Sequence, residues 1–297
     1  MNLLQAIILG IVQGLTEFIP VSSTAHLVFA SRLTDLYNGN PEQITATIAV
    51  LQLGTLLAVF VYFASDILSI TAAFARDHWA LISRKRGGLT FSGTHGNRPL
   101  WLSEEAWLGW LIIIGSIPIG IVGLVFKDII EGAGTKNLWV IAIMLVSVAV
   151  LLTFAELVGK RHKEISDFGL IDAIVVGLAQ VLSLIPGASR SGSTIMGGLL
   201  VGQKREAAAR FSFLLSIPAI TASGLLELRE AWALLPPESF APLLAGTVVA
   251  GVVGYASIYF LLAFLRKSST AIFIGYRLIL GVTIIILLWQ GVISPQI

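Results

Sequence analysis

Six stretches of 18 to 24 mostly apolar residues, at about 46–64, 107–126, 138–158, 211–228, 242–265 and 270–291, dominate this 297-residue chain. A helix crossing the hydrocarbon core of a bilayer needs roughly 20 such residues. Hydrophobic residues make up 56% and charged residues 12%, against about 25% charged in soluble domains. That excludes a soluble enzyme, a disordered protein and a nucleic-acid binder. The net charge of +2 gives no basic patch, and the absence of cysteine excludes disulfides and thiolate metal sites. With 29 glycines and 10 prolines in long apolar runs, helices fit better than a barrel. Residues 1–20 are not read as a signal peptide, because they lack a basic start, contain Glu17 and offer no small-residue cleavage pattern.

Two further apolar stretches, about 1–31 and 169–202, are broken near their middles by Pro20-Val21-Ser22-Ser23-Thr24 and Pro186-Gly187-Ala188-Ser189-Arg190-Ser191. Charge placement decides how these sit. Thirteen of the 19 Lys and Arg residues fall in 65–106, 159–168, 203–210 and the turn near 266. With those on the cytoplasmic side, the six spans alternate only if each broken stretch leaves on the side it entered. The expected fold is therefore an all-α polytopic membrane protein. It forms one integral-membrane domain over 1–297, with six transmembrane helices plus two re-entrant helical hairpins entering from opposite faces.

The hairpins resemble each other. Gly10-Ile11-Val12-Gln13-Gly14-Leu15 recurs as Gly177-Leu178-Ala179-Gln180-Val181-Leu182, and Ile19-Pro20-x-Ser22-Ser23 matches Ile185-Pro186-x-x-Ser189-x-Ser191 with small gaps. Similar segments inserted from opposite sides mark an inverted-topology repeat, whose site lies at the midplane.

Charges at that depth are costly and usually functional. Glu17 and Arg190 are the deepest, one in each hairpin. Gln13 and Glu17, four apart, share a helix face. Ser22 or Ser23 is expected to N-cap the second arm, with His26 in its first turn. In the other hairpin Ser189, Arg190, Ser191 and Thr194 cluster at a helix start. Gly187 and Gly192 are expected to let a ligand approach the backbone there. A guanidinium beside a helix N-terminus suits a phosphate. Together these residues offer an anion clamp, a hydroxyl, a histidine and a carboxylate, which read as phosphoryl transfer or hydrolysis on a lipid-borne substrate. A structural Glu17–Arg190 pair and a transporter or lipid-carrier flippase using the same midplane site are the alternatives.

Other polar residues receive plainer expectations. His78, His95 and His162 are read as solvated in loops. Glu156, Asp172 and Glu227 are read as interfacial, and Arg277 as snorkelling to the cytoplasmic surface. Trp101, Trp107, Trp110, Trp139 and Trp289 are read as interface anchors. Loop 77–105 receives no role.

The run Gln13-Gly14-Leu15-Thr16-Glu17-Phe18-Ile19-Pro20-Val21-Ser22-Ser23-Thr24-Ala25-His26 and the run Pro186-Gly187-Ala188-Ser189-Arg190-Ser191-Gly192-Ser193-Thr194 resemble the two signatures of the bacterial undecaprenyl-diphosphate phosphatase family of the bacitracin-resistance type. The resemblance extends through Phe211-Ser212-Phe213-Leu214-Leu215-Ser216-Ile217-Pro218. It implies hydrolysis of a C55 isoprenyl diphosphate to the monophosphate carrier and inorganic phosphate. It also implies a site opening to the outer face of the bacterial cytoplasmic membrane and a divalent cation, Mg or Ca. Glu17, Ser23, His26 and Arg190 become the catalytic set, with Ser23 the candidate nucleophile and His26 the proton carrier. Gln13, Ser22, Thr24, Gly187, Ser189, Ser191 and Thr194 become substrate contacts, and Glu17 with Gln13 a metal site. Partners implied are the C55 lipid and bilayer lipid, with a homodimer as an open alternative to the monomer. Gln13 stands where many members carry a glutamate, which leaves a two-carboxylate metal site in question. Ala25 replaces a frequent glycine before His26.

Overall fold

A computed structural model describes residues 1–83, 98–99, 101–132 and 137–296. Expectations placed on Arg84, Lys85, Arg86, His95 and Lys136 lie outside the described residues, as do those on the Glu227 and Arg229 side chains.

The helices in order are α1 (Leu3–Phe18), α2 (Ser23–Leu33), α3 (Pro41–Tyr62), α4 (Ala64–Ile82), α5 (Glu104–Val125), α6 (Lys127–Glu131), α7 (Leu138–Val158), α8 (Leu170–Val181), α9 (Arg190–Leu200), α10 (Arg205–Leu234), α11 (Phe240–Leu265) and α12 (Ala271–Trp289). Among the described residues six helices are long and apolar enough to cross a membrane: α3, α5, α7, α10, α11 and α12. The chain is a multi-pass helical membrane protein. Residues 138–158 form a span with the expected bounds, and α10 extends six residues past the expected span at each end.

Side-chain caps mark several starts. Asn2 and Gln5 form a capping box on α1, Asn40 caps α3 ahead of Pro41, Ser103 caps α5 and Asn137 caps α7. Both broken stretches are helix–break–helix units, α1 with α2 and α8 with α9. The first packs α1 on α11 and α3, and the second packs α8 on α5 and α9 on α7 and α10. Backbone meets backbone at several glycines, one of them in the first arm of each unit. A Cβ on Gly10 would lie 2.3 Å from the Gly246 carbonyl oxygen, and one on Gly177 would lie 2.4 Å from that of Gly115. The central core joins both units: Phe18 and Val21 from the first break are buried with Ile195 and Met196 of α9, Phe213 of α10 and Ile258 of α11. Phe18 meets Phe213 edge-on, with ring centroids 5.3 Å apart.

The expected loop after α3 is in fact helical from Ala64 to Ile82. Its charged residues hid a helix that lies outside the spans. Asp77 on α4 is buried and accepts from both the amide and the hydroxyl of Ser103, each at 2.7 Å. Burial pushes its carboxyl up, but the two Ser103 bonds and the adjacent Arg76 outweigh that and hold it below the ordinary value. His78 is not a solvated loop residue. It is half-buried on α4, its ring stacked on Phe74, its Nε2 accepting from Trp110 Nε1 at 3.1 Å. His162 is exposed, as expected.

Glu156 and Asp172 do stand at element ends, but as ion-pair hubs. Glu156 accepts from Arg205 Nε at 2.7 Å, Arg161 at 3.2 Å and Thr270 at 2.8 Å. Asp172 is buried, pairs with Lys163 at 2.7 Å and accepts from the Gly169 amide at 2.8 Å.

Candidate functional site

Each break turns the chain through a serine in the left-handed region, Ser22 at φ +77° and Ser189 at φ +69°. Such conformations cost a non-glycine residue about 1–3 kcal/mol and persist only where surroundings enforce them. Both serines are helix caps: Ser22 Oγ accepts from the Ala25 amide at 3.5 Å, and Ser189 Oγ from the Gly192 amide at 3.2 Å. The equivalence of these caps corrects the sequence alignment of the breaks. Ser23 corresponds to Arg190, each the first residue of its helix, and not to Ser191.

Those two first residues meet on one carboxylate. Ser23 Oγ donates to Glu17 Oε2 at 3.0 Å, and the Arg190 guanidinium pairs with Glu17 Oε1. Glu17, 8% exposed, also accepts from Gln13 Nε2 at 3.1 Å and Gln52 Nε2 at 3.4 Å. Gln13 and Glu17 are thus neighbours on α1, one turn apart, while α3 contributes Gln52 and Thr55, the latter 3.4 Å from Gln13 Nε2. Neither α3 residue stood out in the sequence, since one amide and one hydroxyl inside a span carry no pattern of their own.

The other sequence-predicted residues divide. Ser191 is buried, 3.2 Å from Ser189 Oγ and 3.5 Å from the Glu17 carbonyl, so it ties the two breaks together. Thr194 is fully buried, its hydroxyl bonded to the Arg190 carbonyl at 2.8 Å and to Ser212 Oγ at 2.5 Å, which closes the first turn of α9 against α10. Thr24 is exposed and outside this network. His26 lies on the same break but bonds elsewhere, Nδ1 to the Ser22 carbonyl at 2.6 Å and Nε2 to the Tyr276 hydroxyl at 2.6 Å.

Gly187 clears space for protein and not for a ligand. Its φ is +93°, and an added Cβ would sit 2.4 Å from the Ile141 carbonyl oxygen on α7. At Gly192 the nearest atoms to such a Cβ are Ser189 and Arg277, at 3.3 and 3.4 Å.

Arg277 corrects the snorkelling expectation. It is fully buried and donates to Pro20 O at 3.4 Å, Gly187 O at 3.1 Å, Ala188 O at 3.0 Å, Met144 O at 3.3 Å and Leu145 O at 3.3 Å. Its planar fork of donors satisfies carbonyls that both breaks leave without helical partners. Its position six residues into a span suggested a reach to the surface, but broken helices gave the guanidinium nearer acceptors.

Among the described residues no three His, Cys, Asp or Glu side chains come together as a metal cluster. The donor set fits a hard cation only in part: the buried Gln13 Oε1 has no hydrogen-bond partner and stands beside the Glu17 carboxylate. One carboxylate and an amide oxygen match a magnesium-type site that takes its remaining ligands from substrate phosphates and water.

In chemical terms the site holds a hydroxyl bonded to a carboxylate within proton-transfer reach, and a guanidinium on the first residue of a helix, where the helix dipole is positive. This defines a helical membrane protein with a buried polar centre where two broken helices converge. A family model described as bacitracin resistance protein BacA matches residues 6–283. A protein named undecaprenyl-diphosphatase from Syntrophobacter fumaroxidans (strain DSM 10017 / MPOB) is 48% identical over 282 residues, covering 95% of each chain. Proteins of the same name from Chlorobaculum parvum (strain DSM 263 / NCIMB 8327) and Mycolicibacterium gilvum (strain PYR-GCK) are each 43% identical, the alignments covering 99% of this chain and 100% and 99% of theirs. The chain belongs to the BacA family.

Proposed function

We propose that this chain hydrolyses undecaprenyl diphosphate to undecaprenyl phosphate and inorganic phosphate, which recycles the cell-wall lipid carrier and confers bacitracin resistance. The observation that carries the reading is the meeting of Ser23 and Arg190, first residues of α2 and α9, on Glu17. The Arg190 guanidinium and the N–H groups of the helix starts hold the terminal phosphate, as positioning and charge stabilisation dominate phosphoryl transfer. Ser23 attacks that phosphorus in line, its proton passes to Glu17, and the lipid monophosphate leaves. Water then releases inorganic phosphate from the serine. His26, held on the same break, carries protons to and from phosphate oxygens. Gln13 Oε1 and Glu17 are the groups that would hold a Mg or Ca ion, which when bound neutralises diphosphate charge.

The membrane arrangement belongs to the same proposal. Each unit is re-entrant, and together they form an inverted repeat with its site open to the outer side of the cytoplasmic membrane. Matching glycine contacts support this, with Gly10 of α1 on α11 and Gly177 of α8 on α5, as does the bias of basic residues to one set of loops. Arms of 16, 11, 12 and 11 residues span roughly 16–24 Å, enough to reach the midplane of a ~30 Å core.

The test is phosphate release from undecaprenyl diphosphate by purified protein in detergent, with and without Mg or Ca. Release in wild type that is abolished in Ser23→Ala supports the scheme. A folded wild type that releases none under either cation overturns it.

A further inference from the structure

His26 has one ring nitrogen committed before any chemistry begins. The Ser22 carbonyl can only accept, so the 2.6 Å contact requires Nδ1 to carry a hydrogen. That carbonyl is itself fixed, because Ser22 is buried, sits at φ +77° and caps α2. The nitrogen left to exchange protons is Nε2, and its partner at 2.6 Å is the Tyr276 hydroxyl. The two rings are nearly parallel, 11° between planes, with centroids 5.6 Å apart. Tyr276 is 44% exposed while its neighbour Arg277 is fully buried among the carbonyls of both breaks.

From this contact we propose that Tyr276 is the positioning residue for His26 in phosphate-ester hydrolysis, complementing the tautomer that the Ser22 carbonyl fixes and holding Nε2 in both protonation states. The inference rests on the phosphatase reading of the site. In the resting state the neutral imidazole donates from Nδ1 to Ser22 and accepts at Nε2 from the Tyr276 O–H. When the phenol passes that hydrogen to Nε2 and takes one in its place from a phosphate oxygen or water, the ring becomes an imidazolium that donates at both nitrogens. The phenol oxygen then accepts from Nε2, its new hydrogen directed to where it came from. The reverse transfer, to a leaving phosphate oxygen, restores the first arrangement. A phenol serves both states because its oxygen donates and accepts, which a phenyl ring cannot do. Arg277, next in sequence and pinned by five carbonyls, sets the depth of α12 and so the height of the hydroxyl.

The experiment compares purified wild type, Tyr276→Phe, Tyr276→Leu, His26→Gln and the His26→Gln/Tyr276→Phe double variant, with folding checked by thermal unfolding in detergent. Loss of an orienting partner for a proton carrier is expected to lower kcat by about tenfold or more, with KM within about twofold. Tyr276→Phe and Tyr276→Leu should fall together, and Tyr276→Phe should cost nothing further in the His26→Gln background. Retained kcat in Tyr276→Phe, or an equal loss in both backgrounds, overturns the proposal. A second measurement needs no turnover: the 15N-histidine spectrum should show His26 as the Nδ1–H tautomer, with its Nε2 resonance displaced in Tyr276→Phe. An Nε2–H tautomer, or a resonance that does not move, contradicts the contact. Absence of turnover in wild type with the spectrum as expected would instead count against the phosphatase reading alone.

Discussion

Arg277 donates to the Gly187 carbonyl at 3.1 Å, joining the last span to a helix break ninety residues away. The same guanidinium reaches Pro20 O in the other break at 3.4 Å. One buried cation therefore sets the separation of the two helix starts that present Ser23 and Arg190. Arg277→Met should destabilise the protein by at least about 3 kcal/mol, because several buried carbonyls lose their donor together. Arg277→Lys, a point charge in place of a planar fork, should keep part of the stability and lose most turnover. Thermal unfolding and phosphate release on the same samples check both.

The Glu17–Arg190 pair makes a different kind of prediction. Removing one partner leaves a buried charge alone, which costs about 3–5 kcal/mol, whereas removing both costs less. Glu17→Gln and Arg190→Gln should each be less stable than the double variant Glu17→Gln/Arg190→Gln. All three should be inactive. Recovered stability without recovered turnover would separate the pair's structural contribution from its chemistry.

Close helix approach yields a third test. A Cβ at Gly10 or Gly177 would fall 2.3 or 2.4 Å from a neighbouring helix's backbone carbonyl oxygen. Backbone cannot swing aside as a flexible side chain can, so Gly10→Ala and Gly177→Ala should each destabilise by about 1–3 kcal/mol. Gly275→Ala, with nothing within 4 Å of the added atom, is the control and should be neutral.

Outside the spans, Asp77 ties α4 to the start of α5. Its carboxyl is depressed in the fold, so its stabilisation is present above the ordinary carboxylate pKa of about 3.9 and is lost as pH falls through the depressed value. Asp77→Asn should lower stability at neutral pH by about 1–3 kcal/mol, with the difference from wild type shrinking under strong acid. Unfolding followed across pH 2–7 (a range set by ordinary carboxylate titration) measures it.

Much of this was legible in the residues, for identifiable reasons. The spans follow from apolar run length, and the two broken stretches from proline and serine interrupting such runs. Glu17, Ser23 and Arg190 stood out because charge and hydroxyl clusters are rare at depth, and the fold brings them together. What escaped depended on three-dimensional partners. Arg277 reads as a snorkelling residue until both breaks supply acceptors. Tyr276 and Gln52 are single polar groups inside spans, and α4 was masked by its charges. Thr194 shares the motif with Arg190, yet the helical turn carries its hydroxyl into the α10 packing.

The central claim is that the two helix breaks form one phosphate-handling site around Glu17. Phosphate release from undecaprenyl diphosphate by wild type, Arg190→Ala and Arg190→Lys, each shown to be folded, tests it most directly. Wild type should turn over, Arg190→Ala should lose about a hundredfold or more, as when a transition-state donor is removed, and Arg190→Lys should recover only part of that loss. Near-normal turnover in folded Arg190→Ala would contradict it.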